Sequence, residues 1–112
     1  MNEEPLIEDC LFCKFAQDLS KVGVIMENED FFVINDKFPK APVHLLVIPK
    51  SHVSKKDLQE GRGTDFYTKI LKYVHEVAKE QGFMDRGYEI RANFSGYNHI
   101  DHEHVHIMHG HQ

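Results

Sequence analysis

Three histidines, His102, His104 and His106, alternate with Glu103, Val105 and Ile107 near the C-terminus. Side chains alternate between faces along a strand, so the three imidazoles would line one face and the other residues the opposite one. A row of imidazoles titrating near neutrality suits phosphoryl chemistry. One ring attacks phosphorus and carries the group covalently, while a neighbour protonates what leaves. Phosphoramidates and phosphoanhydrides are the substrates such a row would serve. The same residues also satisfy H-E-x-x-H, in which a helix would align His102 and His106 on zinc with Glu103 as base. No helical stripe runs through 100–112, which favours the strand. A metal-binding histidine-rich tail would suit His109 and His111 but not the strict alternation before them.

Cys10 and Cys13 form the only cysteine pair of the 112 residues. A structural disulfide framework does not follow from one C-x-x-C. A redox pair, two packed thiols and half of a zinc site remain, and zinc would draw its other ligands from among the nine histidines.

Several elements must position these groups. Leu11, Phe12, Phe15, Ala16 and Leu19 recur at helical spacing over Cys10 to Leu19. Val22–Met26 reads as a first strand, Phe31–Asn35 as a second and Val43–Ile48, framed by Pro42 and Pro49, as a third that only His44 interrupts. Ser51 to Leu58 suggests a helical turn, and Gly61 and Gly63 a loop. Phe66, Tyr67, Ile70, Leu71, Val74, Val77 and Ala78 trace the stripe of a helix over Thr64–Gln81, which Gly82 follows. Tyr88, Ile90 and Ala92 alternate with Glu89, Arg91 and Asn93 as a half-exposed fourth strand, and His102–Met108 forms the last. Short loops and one long helix predict an α+β fold with an antiparallel sheet.

Composition narrows the partners. Thirteen Lys+Arg against eighteen Asp+Glu leave a net charge of −5, without the basic stripe that a nucleic acid polymer requires. No apolar run reaches membrane-spanning length, and the acidic opening MNEEPLIED is unlike a signal peptide, so a cytoplasmic protein is expected. One domain over 1–112 is expected, with 1–9 a flexible segment.

Taken in order, the motifs resemble the histidine triad family, in particular its small nucleoside phosphoramidases. His102-Glu103-His104-Val105-His106-Ile107-Met108 resembles H-φ-H-φ-H-φ-φ, with φ apolar. Cys10-Leu11-Phe12-Cys13-Lys14 resembles the opening C-x-F-C-K, and the stretch from Ile34 through Asp36, Pro39, Pro42 and His44 to Pro49-Lys50-Ser51-His52 resembles the central motif. The resemblance implies a five-stranded antiparallel sheet with two main helices, paired in a homodimer into ten strands. It implies a purine nucleoside monophosphate or phosphoramidate as ligand. His104 would be the nucleophile, His106 would contact phosphate and protonate the leaving group, and His44 would hold and polarise the nucleophile. Asp36 would take ribose hydroxyls and Asn93 phosphate. Asn35, Ile34, Leu11, Phe12, Phe15 and Leu46 fall at nucleotide-contacting positions. Cys10, Cys13, His52 and His102 match a structural zinc set, and no organic cofactor is implied. Three positions depart from the pattern, one of them Asn98 in place of a common Gln. Glu103 replaces an apolar residue, and His99 stands where a phosphate-binding Ser or Thr is common, which keeps a non-catalytic nucleotide-binding or adaptor role as the alternative. His75, His109 and His111 receive no role.

Overall fold

The computed structural model describes residues 15, 16, 18, 19, 23–50, 64–92 and 104–110. Its strands are β1 (Met26–Glu27), β2 (Phe31–Asn35), β3 (Val43–Pro49), β4 (Glu89–Ala92) and β5 (Val105–His109), and its long helix is α1 (Thr64–Glu80). The five strands form one antiparallel sheet in the order β1-β2-β3-β5-β4. β5, last in sequence, therefore enters between β3 and β4. Phe15 and Ala16 are helical. Asp18 has left the helix and Leu19 lies in a 3-10 turn, while 10–14 and 17 of that expected helix, and the turn expected over 51–58, lie outside the described residues. Among the described residues, no helix is long and apolar enough to cross a membrane.

β2 and β3 are nearly continuous apolar runs because both faces of the sheet are covered there. Phe31, Val33, Leu45, Val47, Val105 and Ile107 pack against Phe66, Ile70, Tyr73, Val74, Val77 and Ala78 of α1. On the opposite face Phe32, Ile34, Leu46 and Ile48 form a second cluster, flanked by Phe15, Ala16, Leu19 and Val24. α1 is rotated slightly from the expected stripe. Tyr73 is buried and stacks on Phe31 with ring centroids 5.6 Å apart, whereas Leu71 is 51% exposed.

The first strand is displaced from the expected Val22–Met26, sharing only Met26 with it and running on to Glu27. Gly23 turns at φ 75°, and the Asn28 side chain accepts the amides of Asp30 and Phe31, both at 2.8 Å. That turn fixes the register and leaves Met26 and Glu27 opposite Val33 and Phe32. α1 stops at a Schellman motif. Gly82, at φ 81°, lets Phe83 donate to the Ala78 carbonyl at 2.8 Å, and the buried Phe83 ring joins the core behind it.

Candidate active site

The pairing of β3 with β5 sets which side chains meet. Leu46 lies opposite His106 and His44 opposite Met108. His44, Leu46, His106 and Met108 therefore share the sheet face away from α1, and His44 reaches His106 as its diagonal neighbour. Their rings are 5.1 Å apart, and the His104 ring lies 5.2 Å from that of His106. His44 and His104 are buried, and His106 is partly open.

Asp36 follows β2 directly. Its amide extends the ladder to the His44 carbonyl at 2.8 Å, and its Oδ1 accepts the Phe38 amide at 2.8 Å in an Asx turn. Asp36 Oδ2 is then held 3.2 Å from His44 Nε2 and 3.7 Å from His106 Nδ1. The loop past Pro39 brings the Lys40 amide to His44 Nδ1 at 3.0 Å. A backbone amide can only donate, so His44 Nδ1 is an acceptor and neutral His44 carries its proton on Nε2. That proton points at His106 Nδ1, 2.8 Å away. His106 Nδ1 thus accepts, and neutral His106 carries its own proton on Nε2.

Burial keeps both rings neutral at physiological pH. His44 is lowered from 6.5 chiefly by desolvation, with Lys40 and Arg91 acting in the same direction and Asp36 opposing. His106 falls to about 4, first from desolvation and then from His104 and His44, with Asp36 again opposing. The result is a directed hydrogen-bond chain from the Lys40 amide through His44 to His106.

Comparison with known proteins shows the family. The sequence profile described as "Scavenger mRNA decapping enzyme C-term binding" matches residues 9–112. A HIT-like protein of Chlamydia trachomatis is 40% identical over 104 residues, covering 89% of this chain and 91% of that one. The chain belongs to the histidine triad family. Among solved structures, a histidine triad protein from Clostridium difficile superposes with a TM-score of 0.83 at 32% identity, covering 95% and 94% of the two chains. A HIT family hydrolase from Legionella pneumophila gives 0.80 at 31% identity, with coverage of 93% and 95%. A histidine triad nucleotide-binding protein from Candida albicans gives 0.69 at 25% identity, with coverage of 88% and 73%.

In this histidine triad protein, the structure gathers His44, His104, His106 and Asp36, with Ile34 and Leu46 in the adjoining apolar cluster and Phe15 against it. His44 is hydrogen-bonded to His106, which the register makes its diagonal neighbour. Asn35 lies opposite Leu45. By alternation it belongs to the α1 side, so its side chain is not brought to the cluster. Leu11, Phe12, Asn93 and His99 lie outside the described residues, as do the proposed zinc ligands Cys10, Cys13, His52 and His102.

Asp36, His44 and His106 place ligand atoms within 4.8 Å of one another. A histidine binding metal through Nε2 normally donates Nδ1–H to an acceptor. Here the Lys40 amide occupies Nδ1 as a donor, so this trio fits a proton-bearing chain and not a metal.

Two features escaped the sequence. Arg91 lies opposite His106, and so on the histidine face. Its place on the polar half of an alternating strand was visible, but the neighbour of that strand was not. His109 stacks on Phe83, with centroids 4.3 Å apart, and its Nδ1 lies 2.6 Å from the Gly87 carbonyl. It ties β5 to the turn before β4. His75 is exposed on α1.

Proposed function

We propose that this protein hydrolyses nucleotides at the α-phosphate, cleaving purine nucleoside 5'-phosphoramidates or related esters and anhydrides through a nucleotidyl-His104 intermediate. The observation that carries this reading is the chain ending on His106, whose Nε2 has no partner among the described residues and which shares a sheet face with His104. The names of the Legionella hydrolase and the Candida nucleotide-binding protein support hydrolysis and nucleotide binding. The purine would lie toward Phe15, Ile34 and Leu46, extended by Leu11 and Phe12. Asp36 would face the ribose, with Asn93 and His99 toward the phosphate.

A bound phosphate places negative charge against these rings and raises their proton affinity. His106 then takes a second proton on Nδ1, facing Asp36 Oδ2, while His44 Nε2–H turns to the same carboxylate. A ring nitrogen of His104 attacks the α-phosphorus. The bond to the leaving group breaks, and that group departs with the electron pair and the Nε2 proton of His106. Water then attacks the phosphorus, returns a proton to His106 and frees His104, yielding the nucleoside monophosphate. Zinc on Cys10, Cys13, His52 and His102 would fix the N-terminal segment and the start of the triad strand. Two copies would join their sheets into ten strands.

The test is release of AMP from adenosine 5'-phosphoramidate, together with acid-quench trapping of labelled nucleotide on the protein. Wild type should turn over and trap label, and His104→Ala should do neither while still binding AMP. Turnover by His104→Ala refutes the mechanism, and AMP binding without turnover by wild type identifies a binding-only protein.

A further inference from the structure

Arg91 has no part in the chemistry above, yet it sits beside it. Its strand neighbours Ile90 and Ala92 pair with Ile107 and Val105 of the α1 face. Arg91 therefore points to the histidine side, where facing Cβ atoms of an antiparallel pair lie about 4.5–5.5 Å apart. Its side chain is 51% exposed, and among the described residues its one polar partner is Glu89 Oε2 at 3.4 Å. A long contact between exposed groups on one strand holds a guanidinium only weakly. The charge nevertheless acts on the cluster, opposing protonation of both His44 and His106.

Strand order turns this position into a direction. Across the histidine face come Ile34 on β2 with Asp36 just beyond it, then His44 and Leu46 on β3, then His106 on β5, and finally Arg91 on β4. Three strand spacings separate β2 from β4, about 14 Å. A nucleoside over β2 and β3 places its α-phosphate over β5, and the fragment beyond the scissile bond then lies over β4.

Building on the proposed α-phosphate hydrolysis, we infer that Arg91 binds the departing fragment and selects substrates in which that fragment carries negative charge, as phosphate or carboxylate. The phosphate or carboxylate of such a fragment is charged before the bond breaks, so the contact forms on binding. A planar guanidinium can meet two oxygens of such a group at once. An uncharged fragment offers it nothing comparable.

Three probes separate the cases: adenosine 5'-phosphoramidate, which releases ammonia; the phosphoramidate of AMP with glycine, which carries a carboxylate; and ADP, which releases phosphate. In wild type and Arg91→Gln, the quantity read is kcat/KM for each charged probe relative to the first. Arg91→Gln should lower that ratio about ten- to a hundredfold, the range expected for one charge-assisted hydrogen bond. The fall should come mainly through KM, with partial recovery in Arg91→Lys. Whichever charged probe shows the drop identifies the fragment. Equal loss on all three probes, or loss on none, overturns the assignment. Binding gives a readout without turnover: the preference for ADP over AMP, measured calorimetrically, should shrink toward one in Arg91→Gln. An unchanged preference excludes phosphate as the fragment and, together with an unchanged ratio for the glycine probe, overturns the role of Arg91, whereas absence of wild-type turnover on every probe counts against the hydrolase reading.

Discussion

His106 is the residue whose environment can be read as a stability curve. Its folded value lies near 4 against 6.5 in an open chain, with desolvation the largest cause. Between these values the unfolded chain binds more protons than the folded one. The contribution to stability is therefore complete above pH 6.5 and is lost as pH falls toward 4. The gap of about 2.5 pH units corresponds to roughly 3 kcal/mol across the window, with a steepest slope of about 1.4 kcal/mol per pH unit. The ring is mostly buried, with 19% of its side chain exposed, so solvent screening removes only part of this. The control is His106→Asn, whose Oδ1 can still accept His44 Nε2–H but cannot titrate. Urea unfolding of both proteins at pH 7.5, 6.5, 5.5 and 4.5 gives two curves, and their difference cancels carboxylates and any metal-linked groups common to both. Wild type should lose about 2 kcal/mol more than the variant between pH 6.5 and 4.5. Parallel curves would show that His106 is not held neutral by its surroundings.

Three further outcomes are expected. The Tyr73 hydroxyl is buried with no hydrogen-bond partner among the described residues, and burial pushes it up to about 12; Tyr73→Phe should be neutral or stabilising by up to about 1 kcal/mol, and a clear destabilisation in urea would reveal a partner. Gly82 has open space around its Cα but sits at φ 81°; Gly82→Ala should cost about 1–2 kcal/mol from backbone strain alone, and an unchanged unfolding midpoint would contradict the left-handed cap. Untagged protein purified without added metal should carry one zinc per chain, and Cys13→Ser should lose it; wild type with well below one equivalent by metal analysis would remove the zinc site.

What could be read from the sequence was what is local. Phe31–Asn35 and the core of Val43–Pro49 stand out because both faces are apolar, and His44 stands out because it breaks that run. The alternation around His106 marks β5 without any knowledge of its neighbours. Neighbours are where local pattern fails. Nothing in 89–92 or 105–109 says that these strands pair, so the position of Arg91 opposite His106 and the diagonal from His44 to His106 could not be foreseen. Tyr67, Leu71 and Tyr73 all lie close to the apolar stripe, and only packing decides that Tyr73 goes inside. Val24 and Ile25 are β-formers and suggest an earlier first strand, whereas the Asn28 turn sets the register and puts the pairing at Met26–Glu27.

The position of β5 also governs how the protein is made. β3 and β4 do not touch in the sheet, and each pairs with β5. Until the last strand arrives, β3 has an open inner edge and β4 has no partner among the described strands. Contacts between distant parts of the chain close late, because loop entropy must first be overcome. A nascent chain in which β5 has not yet been made would present the β3 edge to other chains, the exposure that drives strand-to-strand aggregation. The segment bearing His104 and His106 is thus the wedge that completes the sheet as well as its chemical face. On the proposed mechanism, assembly and competence would arrive in the same event, with no half-built form able to react.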